Sequence, residues 1–496
     1  MMLGQFEDDV YRTNLRTLFA HRQISQILYP KTVSDTLLQI IETCLNQACR
    51  DIRPVKKYIP VDQTTKFIRE LETDEIKMES LLKLMSDHPV GVRAFGGLIT
   101  ELKRYEQVHE VIRTVRVEEY KPPTSHQELK TVSDPNRRMI LDSMTLTNLD
   151  VCSNQGESDY GSLLKKVNKC SSAGGKRLMR FIVTSPPTNK NTIQNEQEII
   201  KLIMNDESFR SVLKASPYYF MSISSIRIPL VLVASNFSTK YYLKTHHRKT
   251  TKKMLSKLPD LERFIAKFGM LSFGMRPADH PDKRAVLYED ILYNRQKTQK
   301  FCYVLESFQN INEWKKTVQS AHDIDEQLKK EIVGSIPDMT ELLESWEENF
   351  DIAKAKKAGN LTPKPGTNGP YDKACMMIKT TQSSADEFRD SIEAKYGYGK
   401  LVKSGKMHFT IEVRENTKAP SHWLVQGKKK GFKRFINDEL EVLNADMERY
   451  LKEKDFALNE SSAIIFKQFF DASEQWRAIV KAVNKVDVRL ALANYR

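Results

Sequence analysis

Four Gly-Lys pairs, Gly175-Lys176, Gly399-Lys400, Gly405-Lys406 and Gly427-Lys428, are the first places to look for phosphate chemistry. A phosphate-cradling loop built on Gly-Lys needs Ser or Thr next, because that hydroxyl holds magnesium. The residues that follow are Arg177, Leu401, Met407 and Lys429, so none of the four makes such a loop, and no GxGxxG occurs either. The histidines show no HExxH or paired-ligand spacing, and His246-His247 lies beside Arg248 and Lys249, which repel a cation. The cysteines Cys44, Cys49, Cys152, Cys170, Cys302 and Cys375 form no CxxC pair. That spacing argues against a zinc site or a disulfide framework and fits a reducing compartment. With no nucleophile elbow or Cys–His signature, neither autonomous catalysis nor a resident metal or cofactor is expected.

The chemistry that stands out is charge. Between Lys400 and Arg434 the cations are Lys400, Lys403, Lys406, Arg414, Lys418, Lys428, Lys429, Lys430, Lys433 and Arg434, against only Glu412 and Glu415. This stretch supplies more than half of the net +14 of the whole chain. Contacts to a phosphate backbone need cations without base-reading geometry. The candidates are Lys428, Lys429, Lys430, Lys433 and Arg434, followed by Arg414 and Lys406. Gly427 and Gly431 flank the lysine triplet and let the backbone come close to a ligand. A solvated loop or a nuclear localisation signal accounts for the same run, and charge alone does not choose among these readings.

The elements that must carry this cluster are mostly helical. Asp282 to Val333 and Phe432 to Arg496 contain neither Gly nor Pro, the strongest helix breakers. Leu443, Met447, Tyr450 and Leu451 fall at helical steps among charged residues. Such tracts read as extended antiparallel arms with a break or two. Between them lie a turn-rich linker, Gly359 to Gly366, a helix from Tyr371 to Tyr396, and an alternating strand from Lys406 to Glu415. That strand places Met407, Phe409, Ile411 and Val413 on one face. A second strand is expected near Trp423 to Val425, with Gly427 to Gly431 as a turn. Towards the N-terminus, Leu37 to Asp51, Thr73 to Asp87 and Leu98 to Val115 read as helices, and Met1 to Asp9, with no basic or apolar run, gives no expectation of a signal peptide. Ala215 to Thr239 is long and apolar, but Arg227 near its centre and its Ser and Asn residues argue against a membrane helix.

Several of these segments resemble one family. Arg138 to Asp150, Gly161-Ser162-Leu163-Leu164 with Cys170 and Gly175-Lys176-Arg177-Leu178, Leu258-Pro259-Asp260-Leu261-Glu262-Arg263, and Leu490 to Tyr495 resemble core and lever segments of the MutS DNA mismatch repair family. Gly4 to Asp9, Ala355 to Lys364 and Lys429 to Phe435 are similar to its homologue 6 branch. The resemblance implies a mainly α protein: a long helical lever/core with an inserted small α+β clamp, plus a partial α/β connector at the N-terminus. On this basis residues 1–128 are connector and transition, 129–371 and 444–496 the two parts of core and lever, and 372–443 the clamp. Residues 214–249 have no recognised counterpart and read as a retained intron or other gene-model error, the alternative being a real insertion that forms a surface loop or small hairpin.

The function implied is that of a nuclear subunit that binds mismatched double-stranded DNA together with a MutS homologue 2 type partner. The clamp lysines would hold phosphates. ATP and magnesium serve intact family members through an ATPase domain. Neither that domain's P-loop nor the family's Phe-x-Glu mismatch wedge is recognised here, so ATP hydrolysis and specific mismatch reading are not expected of this chain. The alternative is a helical scaffold, or a meiotic MutS relative, that docks partners without holding DNA.

Overall fold

The computed structural model describes residues 1–22, 24–44, 51–55, 58–70, 75–104, 108, 111–112, 117–122, 138–152, 161–205, 255–272, 287–322, 324–405 and 407–495. Residues 214–249 and Lys406 therefore lie outside the described residues. The fold is mainly α with a small α+β insert, as expected. No helix among the described residues is long and apolar enough to cross a membrane. The chain divides into two units: Met1–Arg284 with Tyr303–Thr340 and Lys467–Arg496, and Ala285–Cys302 with Glu341–Phe466.

The first unit opens with two parallel strand pairs. Strand β1 (Met2–Leu3) pairs with the distant β4 (Glu118–Glu119), and β2 (Gln26–Pro30) with β3 (Asp51–Val55) across the helix Asp35–Cys44. Parallel strands cannot be joined by a tight turn and need such a crossover. Helix α1 (Pro89–Arg104) begins nine residues before the expected Leu98. Proline suits a first helical turn, where its missing N–H has no partner to lose. Val92, Phe95 and Ile99 then fall on one face and bury against Ile68, Leu81 and Met85.

The rest of this unit is built around α2 (Ala173–Thr184), α3 (Leu261–Ser272), part of α4 (Leu287–Ser320) and α7 (Ser473–Tyr495). Phe268, Phe308, Phe469 and Trp476 form its aromatic centre, with Phe308 and Trp476 ring centroids 4.3 Å apart and Phe469 stacked on Trp476 at 5.3 Å.

The second unit carries the insert. Helix α5 (Gly369–Tyr396) is capped by Asn368, whose side chain accepts the Tyr371 N–H at 2.9 Å, and it ends at Gly397 in the left-handed region. Helix α6 (Asp438–Asp471) returns antiparallel to it. Ile392 near the end of α5 packs in one cluster with Leu440 near the start of α6, and Lys454 lies over the Tyr371 ring at 6.0 Å. Asn437 caps α6 through the Leu440 N–H at 3.1 Å, and Asp438, Glu439 and Glu441 favour the positive end of its dipole.

Between the arms lies an antiparallel sheet of β5 (Lys400–Ser404), β6 (Met407–Arg414), β7 (Leu424–Lys429) and β8 (Phe432–Ile436), in the order β5-β6-β8-β7. Two features differ from the sequence-based expectation. Phe432 to Ile436 is a strand, although it belongs to a tract free of helix breakers. The turn is narrower than Gly427 to Gly431, because Gly427, Lys428 and Lys429 continue β7 and only Lys430 and Gly431 turn the chain. Gly431 has φ +82°, a conformation that glycine adopts without a steric penalty.

Candidate nucleic-acid interface

One face of the sheet is covered by the arms. Phe409, Ile411 and Val413 of β6 and Phe435 of β8 are buried with Ala385, Phe388 and Ile392 of α5 and Leu440 and Met447 of α6. The alternation read in the sequence fixes this face, since side chains along a strand point alternately to its two sides. Asn444 locks the sheet to α6. Its Oδ1 accepts the N–H groups of His408 and Phe409 at 2.7 and 2.9 Å, and its Nδ2 donates to the Phe409 and Leu440 carbonyls at 2.8 Å. Sequence reasoning missed this residue, and a lone Asn in an amphipathic helix gives no signal that would have found it.

The register places the predicted cations in rows. Lys428 stands directly opposite Lys433, which stands opposite Val413. Lys429 stands opposite Phe432, which stands opposite Arg414. The two rows project from opposite faces of the β7–β8 hairpin tip, with Lys430 at the turn between them. Arg414, Lys428, Lys429 and Lys430 are exposed and Lys433 is half-buried. Among the described residues none of these five has an ion-pair partner. Like charges directly opposite each other on a sheet destabilise it, so the Lys428–Lys433 pair is a cost to the fold that a bound anion would relieve.

Arg434 is different. Its Nε and Nη2 donate to one Glu412 oxygen at 3.2 Å and its Nη1 donates to the Ser404 hydroxyl at 3.0 Å. Both charged side chains are largely covered. Arg434 ties β8 to β6 and β5, while the other five cations remain open to a ligand. Lys406 lies outside the described residues.

The Gly-Lys pair with the most P-loop-like surroundings has another use. Gly174 and Gly175 lie in the first turn of α2, where a side chain would collide with Asn484 and Asp487 of α7. The Asp487 carboxylate accepts the Ser171 N–H at 3.0 Å and the Ser172 N–H and hydroxyl at 2.8 and 2.7 Å. This helix start is therefore occupied by a carboxylate of the chain itself. Arg177, one turn on, binds Asp260 at 2.6 and 2.8 Å and Glu262 at 2.5 Å, and Glu262 accepts from Asn484 at 2.9 Å. Hydrogen bonds from Arg177 hold the Asp260 carboxyl below its ordinary range. Burial and the nearby Asp487 push the Cys170 thiol up to about 12. Two segments that stood out in the sequence, around Gly175 and around Asp260, thus meet in one ionic joint.

A helical framework with a basic strand-and-turn module inserted between two long helices defines a class of mainly α proteins with a small α+β insert. The family model for MutS domain III matches residues 144–493. The chain belongs to the MutS family. It is 27% identical to the DNA mismatch repair protein Msh6 of Gallus gallus and 26% to that of Homo sapiens, in each case over 99% of this chain, and 24% identical to MSH6 of Saccharomyces cerevisiae over the same share. It is thus Msh6-like along nearly its whole sequence, and it spans 35 to 37% of the length of these three relatives.

Proposed function

We propose that this chain is the DNA-gripping part of a mismatch repair subunit, holding the phosphate backbone of duplex DNA with the β7–β8 hairpin. The single observation that carries the reading is the hairpin tip, where Arg414, Lys428, Lys429, Lys430 and Lys433 stand together without internal partners among the described residues. Cations spread over both faces of a narrow tip suit a backbone that curves past it, whereas base reading needs side chains held in fixed hydrogen-bonding geometry. The relatives' names as DNA mismatch repair proteins support the same reading, and the proposal extends it, on the family resemblance read in the sequence, to mismatched duplexes, a MutS homologue 2 type partner and the nucleus. No GxxxxGK[ST] occurs in these 496 residues. The proposal therefore assigns them no ATP hydrolysis, and it leaves ATP and magnesium to the ATPase domain of intact family members.

Charge reversal tests the reading. Fluorescence anisotropy with a labelled duplex should show the K428E/K429E/K430E variant losing at least tenfold in affinity, while its melting temperature stays the same or rises because the Lys428–Lys433 repulsion is gone. Unchanged affinity would leave the scaffold alternative in its place.

A further inference from the structure

Phe432 is the one aromatic residue at the hairpin tip, and 37% of it is exposed. It lies between Arg414 and Lys429 in a single cross-strand row, with a cation on each side. Neighbouring strands are about 4.8 Å apart, so each cation starts about that far from the ring's own strand. Among the described residues the ring has no aromatic or cation–π partner. Arg434, next on the same face, is already neutralised by Glu412. At this end of the face, then, the open cations are the two beside the ring.

We propose that the hairpin tip also binds single-stranded nucleic acid, stacking an unpaired base on Phe432 while Arg414 and Lys429 hold the phosphates on either side. Grooves that bind single strands combine cations along the backbone with aromatic rings under the bases, and such stacking tolerates any base because each has a π-face. In a paired duplex both faces of every interior base are already stacked, so the ring adds nothing there and the cations act alone. The inference rests on the backbone-gripping reading and adds a ligand class to it.

The experiment measures binding of the full chain to fluorescein-labelled dT16 and to a 16-base-pair duplex at one salt concentration. Phe432→Leu should weaken dT16 binding about tenfold, within the range expected for loss of one stacked base, and leave duplex binding unchanged. In Phe432→Trp, dT16 should quench the emission added by the new indole and the duplex should not. Three results would overturn the proposal: native affinity of Phe432→Leu for dT16, equal losses on both ligands, or no selective quenching. If the native chain binds neither ligand, the backbone-gripping reading falls as well. If it binds duplex and Phe432→Leu changes nothing, only the stacking proposal falls.

Discussion

Arg434 and Lys428 have the same formal charge and lie near each other in sequence, yet their surroundings give them different work. Removing Arg434 leaves the largely covered Glu412 carboxylate without its cation. Arg434→Ala should therefore destabilise the second unit by about 2 kcal/mol, the scale for orphaning a covered charged hydrogen-bond partner, and change duplex affinity little. Thermal melting and anisotropy on the same preparation check both halves. The Arg177–Asp260 pair makes a pH-dependent contribution. A carboxyl whose folded pKa lies below its unfolded value adds stability that is fully present above the unfolded pKa, about 3.9, and is lost as pH falls through the folded one. Arg177→Met should melt below the native protein at pH 7, and that gap should shrink as pH drops below about 4. Cys170 should resist iodoacetamide at pH 8 until the chain unfolds, because its thiol, raised to about 12, stays protonated. Mass spectrometry of the labelled peptide reads this directly.

At the scale of elements, two joints carry the structure that positions the hairpin and the segment around Asp260. Asn444→Ala removes the acceptor of the His408 and Phe409 amides and should cost about 2 kcal/mol. Hydrogen exchange should show those two amides opening faster. Gly175→Ala forces a methyl group against Asp487 and should destabilise the α2–α7 packing by about 1–3 kcal/mol. The sequence made the long helices legible because their apolar spacing is local and uninterrupted. It made β6 legible because Phe409, Ile411 and Val413 alternate. It did not show that Phe432 to Ile436 is a strand, since the absence of breakers permits a helix without requiring one, and the pairing with β6 joins residues far apart in sequence. The β2–β3 pair was hidden for the same reason. The charge of the candidate site could be read in advance. Its division into two faces, and the removal of Arg434 by Glu412, depend on a register that only the folded sheet sets.

For the whole molecule, the net charge of +14 is less telling than its placement. A diffuse excess would draw any polyanion weakly, whereas five open cations, four on the hairpin and Arg414 at the adjoining end of β6, make a compact electrostatic contact. The most direct measurement is the salt dependence of duplex binding, taken with the native chain and with K428E/K429E/K430E. If all five cations reach phosphates, the logarithm of the native association constant should fall with the logarithm of salt at a slope of about −4.5, from roughly 0.9 per neutralised phosphate. The variant should show a slope nearer −2. Native binding that ignores salt, or a slope that the three reversals leave unchanged, would contradict the assignment of this hairpin as the part that holds DNA.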